Sequence, residues 1–216
     1  MSATSILLLD DHPVILNGLA AYLEAQPDLT VVARCATASE AMAALEACRP
    51  QVAVVDIKLE GGYTFDFVAE ALIRDPTLKL VFITGHDDDL FVEKAFQSGA
   101  LAYVLKSEPL TELVTAVRSA MIGERYVSAQ TLKRFPQLGD VSQNEPVQTR
   151  LSLLTKRERE ILHHVSQGRS AKEISELLKI STWTVTNHKA NIMAKLDIHN
   201  QVGLTRFAVS TGLAHL

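Results

Sequence analysis

The stretch Ile6-Leu7-Leu8-Leu9-Asp10-Asp11-His12-Pro13 is an aliphatic run that breaks abruptly into two carboxylates and a proline. A continuous apolar run suits a strand covered on both faces, and the polar break marks its carboxyl end. The pattern recurs along the chain. Thr30 to Cys35 is a second, β-branched run; Val52-Ala53-Val54-Val55 leads into Asp56; Leu78 to Thr84 leads into Gly85; and Ala102 to Leu105 leads into Lys106. Helical stretches lie between: Val14 to Leu23 ending before Pro27, Ser39 to Cys48 before Pro50, Phe65 to Arg74, Leu90 to Gln97 with Gly99 as a stop, and Leu110 to Met121 with Gly123 beyond. Glycine just past a helix end and proline beyond it are ordinary stop signals. Strands alternating with amphipathic helices predict a parallel sheet with helices on both faces.

In such sheets ligands bind beyond the carboxyl ends of the strands. Asp10, Asp11, Asp56, Thr84 and Lys106 all sit at those ends. Taken singly, each has a plainer reading as a helix cap, turn residue or solvated charge. Together they describe a chemistry. Three carboxylates repel unless one is protonated or a cation sits among them. Oxygen ligands of this number suit Mg²⁺, which keeps several waters. A lysine supplies a point charge for phosphate oxygens, and a threonine hydroxyl can donate to a phosphoryl oxygen. A carboxylate can itself become an aspartyl-phosphate. The set fits Mg²⁺-assisted phosphoryl transfer onto an aspartate.

The chain has 216 residues, 47% hydrophobic and 21% charged, which allows one or two folded domains and excludes disorder as the main state. Its apolar runs are far shorter than the ~20 residues of a membrane span, and the first lacks the basic start of a signal peptide. Cys35 and Cys48 make neither a disulfide framework nor a metal-site spacing, so a reducing cytoplasm and no membrane partner are expected. Charge is uneven: residues 1–128 carry 9 Lys/Arg and 18 Asp/Glu, and residues 129–216 carry 12 and 7. An acidic part joined to a basic one predicts two domains with different partners, the basic part drawn to phosphate backbones. Ala129 to Arg150, with Pro136, Gly139 and Pro146 and no sustained apolar period, reads as a linker whose start extends as a short helix.

Beyond it, Thr155 with Glu158 forms a capping-box pattern, the helix it opens stops at Gly168, and Ser170 with Glu173 repeats the pattern before Ala171 to Leu178. Ser181 caps a third helix, Thr182 to Leu196, and a fourth runs from about Gln201 to Thr211. Two helices joined by a short turn inside a small basic unit point to major-groove binding. On a helical wheel Val185, His188, Ile192 and Leu196 share the core face of the third helix. Trp183, Asn187, Ala190 and Ala194 lie opposite, flanked by Thr186 and Asn191. Lys172, Thr184, Thr186, Asn187 and Lys189 are the candidate DNA contacts, with Lys195 a further phosphate candidate. Trp183 either packs on a neighbouring helix or the linker, or touches DNA sugar or the first domain. His163, His164 and His188 lack metal-ligand spacing and read as structural.

Residues 5–121 resemble the receiver domain of two-component response regulators through Leu8-Leu9-Asp10-Asp11-His12-Pro13, Val54-Val55-Asp56, Phe82-Ile83-Thr84-Gly85, Gly99-Ala100 and Tyr103-Val104-Leu105-Lys106. The resemblance implies an α/β flavodoxin-like fold with a five-stranded parallel sheet in the order 2-1-3-4-5. It implies Asp56 as phosphoacceptor, Asp10, Asp11 and Asp56 as Mg²⁺ ligands, Thr84 and Lys106 on the phosphoryl group, and Thr84 with Tyr103 as the switch pair. The segment after Asp56 departs from the family: Glu60 stands where proline is common, Thr64 roughly where glycine is, and Lys58 lies two residues past the acceptor. Ser107 replaces the proline that commonly follows the lysine. Residues 151–213 resemble the LuxR-type domain of the NarL/FixJ class through Leu154-Thr155, Arg157-Glu158, Glu160-Ile161-Leu162, Gly168, Lys172-Glu173-Ile174, Leu177, Ile180-Ser181, Thr184-Val185, His188, Asn191-Ile192 and Lys195-Leu196. Thr186 and Ala190 occupy positions that are often basic in that class.

The expectation is a receiver domain at 1–128, a linker at 129–150 and a small all-α helix-turn-helix domain at 151–216. Its function would be DNA-binding transcription regulation, controlled by phosphorylation of Asp56 by a sensor histidine kinase, with a homodimer as the active form on DNA. The alternative is a phosphorylation-independent DNA-binding regulator with a vestigial receiver. An aspartyl-phosphate enzyme commonly needs a second acid two residues past the nucleophile, and Lys58 stands there instead.

Overall fold

A computed structural model describes residues 3–85, 89–134, 149–211 and 213. The chain divides into two compact units. Along residues 4–134, strands and helices alternate: β1 (Thr4–Leu9), α1 (Pro13–Glu24), β2 (Leu29–Cys35), α2 (Ala38–Cys48), β3 (Val52–Val55), a short hairpin of β4 (Lys58–Leu59) and β5 (Gly62–Tyr63), α3 (Phe65–Arg74), β6 (Lys79–Thr84), α4 (Asp89–Gln97), β7 (Ala102–Leu105), α5 (Leu110–Met121), β8 (Tyr126–Val127) and α6 (Ala129–Arg134). The main sheet has the order β2-β1-β3-β6-β7-β8 with every pair parallel. Its first five strands follow the expected 2-1-3-4-5 order. β8 is an unexpected sixth, a two-residue edge strand pairing Tyr126 with Ala102 and Val127 with Tyr103. Two residues carry no periodicity, so sequence pattern has nothing to detect there.

Strand alternation places Ile6, Leu8, Val52, Val54, Val81, Ile83 and Val104 on one sheet face, packed on Leu16, Leu19 and Leu23 of α1 and Leu113 and Val117 of α5. The intervening Leu7, Leu9, Ala53, Val55, Leu80, Phe82 and Tyr103 are also buried, so both faces are covered. Val14, counted with the apolar positions of α1, is 85% exposed; it lies about 200° around the helix from Leu16. Helix starts follow local chemistry. Pro13 opens α1, where its missing N–H costs nothing, and the Thr37 hydroxyl accepts from the Glu40 amide to start α2. Gly99 takes φ +96° just beyond α4 with Leu72 Cδ1 3.0 Å from where a Cβ would stand, so only glycine fits there.

The second unit carries a short 3₁₀ turn (Leu151–Leu153), α7 (Lys156–Ser166), α8 (Ala171–Leu178), α9 (Thr182–Leu196) and α10 (Gln201–Ser210). Capping boxes open α7 and α8: the hydroxyls of Thr155 and Ser170 accept from the amides of Glu158 and Glu173, whose carboxylates accept in return. Ile161, Leu162, Val165, Ile174, Val185, Ile192, Leu196, Leu204 and Phe207 form its core. Of the expected linker, residues 135–148 lie outside the described residues. No helix among the described residues is long and apolar enough to cross a membrane.

Candidate phosphoacceptor site and DNA-reading face

The carboxyl edge of the sheet gathers its polar residues through strand register. Asp10 follows β1 and donates its amide to Cys35 of β2, while the Asp56 amide donates to the Leu9 carbonyl. Thr84 ends β6 opposite Leu105, and the Lys106 amide donates to the Thr84 carbonyl at 2.8 Å. Asp10, Asp56 and Thr84 are all nearly inaccessible to solvent, and Tyr103, one strand over from Phe82, is fully buried. Lys106 Nζ lies 2.6 Å from Asp10 Oδ2 and 2.5 Å from Asp56 Oδ2, bridging the two carboxylates. One ligand atom from each of Asp10, Asp11, His12 and Asp56 stands within 4.8 Å of every other.

Charge in this pocket is unbalanced. Three carboxylates face one ammonium. Burial pushes the Asp56 carboxyl above the usual aspartate range; Lys106 beside it pulls the other way, and Asp10 adds to the rise. Burial works against the Lys106 charge, but contact with Asp10 and Asp56 outweighs it and holds the ammonium above the ordinary lysine range. Asp10 Oδ2 and Asp11 Oδ1 are buried without a well-directed hydrogen bond. Among the described residues each has an ion-pair neighbour, Lys106 Nζ for the first and His12 Nδ1 at 2.7 Å for the second. Surplus negative charge on closely grouped hard oxygens is the donor chemistry that suits a divalent cation of the Mg²⁺ kind.

The departure after Asp56 proves to be an ordered hairpin. Leu59 pairs with Gly62 and Lys58 with Tyr63 around Glu60-Gly61, and Gly62 takes φ +128°. The Glu60 amide donates to Asp11 Oδ2 at 2.5 Å, and the buried Thr64 hydroxyl donates to the Asp56 carbonyl at 2.7 Å. Lys58 turns its side chain to solvent while its amide donates to Asp56 Oδ1 at 3.3 Å. Sequence reading misses this hairpin, although a glycine-containing two-residue connection is its signal. It also misses His12, whose ring reaches both Asp10 and Asp11.

In the second unit the outer face of α9 is open: Trp183, Thr186, Asn187, Ala190, Asn191 and Ala194 are exposed, as is Lys172 on α8. Trp183 is 73% exposed, which overturns packing on a neighbouring helix as its role. Thr184 is half-buried and joins the cap, its hydroxyl 2.8 Å from that of Ser181. Thr186 donates back to the Thr182 carbonyl at 3.0 Å, and Lys189 donates to Gln201 Oε1 at 3.2 Å. Lys195 is committed elsewhere: its ammonium lies 2.7 Å from the buried Glu158 carboxylate. Burial pushes the Glu158 carboxyl up, but Lys195 and the Thr155 amide outweigh it, leaving it below the usual glutamate range. Other basic side chains are structural too. Arg157 donates to the Leu178 carbonyl at 3.0 Å at the end of α8, and Arg150 donates to the Leu196 carbonyl at 2.5 Å while its guanidinium lies over the Phe207 ring.

Two family models match the chain. The one described as response regulator receiver domain covers residues 6–118, and the one described as bacterial regulatory proteins, luxR family, covers residues 152–208. The transcriptional regulatory protein LiaR of Bacillus subtilis is 35% identical over 98% of this chain and 98% of its own length. The oxygen regulatory protein NreC of Staphylococcus haemolyticus is 33% identical over 96% of this chain and 98% of its own length. Among solved structures, RcsB of Salmonella enterica serovar Typhimurium, bound to a promoter in the presence of a beryllofluoride phosphomimetic, superposes with a TM-score of 0.69. It is 20% identical over 96% of this chain and 98% of its own, a likeness of fold. With both domain families in this order and full-length relatives named as regulators, the chain belongs to the two-component response regulators with a LuxR-type helix-turn-helix, DNA-binding transcription regulators and not enzymes.

Proposed function

We propose that a sensor histidine kinase phosphorylates this regulator on Asp56 and that the phosphorylated chain pairs as a homodimer on DNA. The observation that carries the reading is the bridged set at the sheet edge, Asp56 and Asp10 held 2.5 and 2.6 Å from one ammonium with Asp11 beside them. In this reading an Asp56 oxygen attacks the phosphorus of a phosphohistidine; a P–O bond forms, the P–N bond breaks and the imidazole leaves. Asp10, Asp11 and Asp56 would hold Mg²⁺, which when bound neutralises charge on the transferring group. Lys106 gives up its contact with Asp56 and turns its ammonium to the phosphoryl oxygens. The Thr84 hydroxyl donates to the same group from the end of β6. Movement there repacks Tyr103 in its buried slot on β7 and alters the face beside it.

Lys172, Thr184, Thr186, Asn187 and Lys189 are assigned to DNA, the α9 residues toward the major groove and the lysines toward phosphates. Thr184 takes part through its cap hydroxyl, since its side chain is only half exposed. That RcsB, which shares this fold, is bound to a promoter in the presence of a phosphomimetic fits the pairing of phosphorylation with DNA binding. The boundaries 1–128, 129–150 and 151–216 are proposed as receiver, linker and DNA-binding domain, with a cytoplasmic site of action.

The test treats wild type and Asp56→Asn with acetyl phosphate and Mg²⁺, reads intact mass, and then measures DNA binding. A phosphoryl mass gain confined to wild type, with tighter DNA binding or dimer formation, is expected. No adduct from acetyl phosphate or a kinase, with equal DNA binding by both proteins, overturns the reading in favour of a phosphorylation-independent regulator.

A further inference from the structure

The outward arc of α9 is unusual in what it lacks. Trp183, Asn187, Ala190 and Ala194 fall within about 60° of one another on the helix, and all are exposed. Thr186 and Asn191 flank them. No lysine or arginine stands on this arc. Lys189 lies toward α10, where it meets Gln201, and Lys195 turns inward to Glu158. The major groove distinguishes bases by a donor and acceptor code, and guanine is read chiefly by arginine or lysine reaching O6 and N7. This arc offers nothing of that kind. It offers two asparagines, whose amides match adenine N6 and N7 bidentately. Beside them runs an apolar strip of one large ring and two methyls, the partners that suit the thymine C5-methyl. Thr186 strengthens the bias. Its hydroxyl proton is spent on the Thr182 carbonyl at 3.0 Å, so outward it presents a methyl and an acceptor. The acceptor suits adenine N6–H₂ or cytosine N4–H₂ alike, so it is the methyl, facing a thymine methyl, that adds to the bias.

Trp183 is the strongest part of the case. An indole 73% exposed at the first turn of this helix carries a large apolar area in water with no packing role in its own domain. Residues near the start of a recognition helix are those that meet base edges. The strip is continuous with the proposed DNA contacts Thr186 and Asn187, so the same duplex is its occupant.

We propose that α9 selects half-sites of A·T pairs at the positions it contacts, Asn187 reading adenine and the Trp183 ring covering thymine methyls. The inference rests on the reading that α9 enters the major groove. The experiment selects duplexes from a randomised pool with the full-length protein after acetyl phosphate treatment. It then replaces thymine by deoxyuridine in the selected half-site, which removes only the methyl and leaves the protein untouched. Enriched A·T half-sites are expected, with roughly tenfold weaker binding for each A·T pair changed to G·C. Deoxyuridine should weaken wild type several-fold and Trp183→Ala markedly less, and Asn187→Ala should lose its preference at one position. Enrichment of G·C half-sites, or equal binding of thymine and deoxyuridine duplexes by wild type, overturns this inference and leaves α9 as the reading helix. Selective A·T binding that neither variant alters overturns both, because another element then reads the DNA.

Discussion

Lys106 is the residue on which the sheet edge balances. Its ammonium lies between two buried carboxylates, so its removal leaves like charges facing each other in a poorly hydrated pocket. Lys106→Ala is expected to cost about 3 kcal/mol at neutral pH. The loss should shrink toward acid as a carboxyl takes up a proton, and Mg²⁺ should restore more stability to the variant than to wild type. Calorimetry with and without Mg²⁺ reads both effects. Glu158 contributes to the acid sensitivity of the second unit. Its carboxyl is held below its unfolded value of about 4.5, so the stability it contributes is complete above that pH and lost as pH falls through the lower folded value. The melting temperature of the helical unit should therefore fall on acidification below about pH 4.5, and Glu158→Gln should flatten that slope while lowering the plateau.

At the scale of the element, the β4–β5 hairpin is the ordered connection that follows Asp56. It delivers the Glu60 amide to Asp11 and sets the Thr64 hydroxyl against the Asp56 carbonyl. Gly62 makes the turn at φ +128°, a region that side chains rarely adopt. Gly62→Ala is expected to cost about 1–2 kcal/mol and to weaken Mg²⁺ binding several-fold with all three carboxylates intact. Isothermal titration with Mg²⁺ tests this; unchanged affinity would separate the hairpin from the site. The strands that hold the site residues were readable because each is a continuous apolar run ending in a charged or hydroxyl residue. The hairpin was not, because its strands are two residues long and its sequence reads as loop. Lys195 was misplaced for another reason: its partner Glu158 is 37 residues away, and helix wheel positions do not reveal which side chain waits on the neighbouring helix.

For the whole molecule, the acidic first part and basic second part were legible from charge alone, yet charge overstates the surface available to DNA. Lys172 and Lys189 remain as phosphate candidates on α8 and α9, whereas Arg150, Arg157 and Lys195 are engaged inside the second unit. The salt dependence of DNA binding should accordingly be shallower than full use of its basic residues would give. Lys172→Ala should reduce the slope of log K against log salt by about 1 per protomer and weaken all duplexes alike, which titrations at several salt concentrations measure.

The two arginine caps bear on how any mutational survey of this protein is interpreted. Arg157 closes the end of α8 and Arg150 the end of α9, each donating to a carbonyl that the helix leaves without a partner. Replacing either by alanine would loosen the helix pair that presents the reading face. In a screen scored only by DNA retention, both would register as nucleic-acid contacts. Paired with a stability readout, the same screen would sort them apart: loss of Arg157 lowers melting and binding together, whereas loss of Lys172 lowers binding alone.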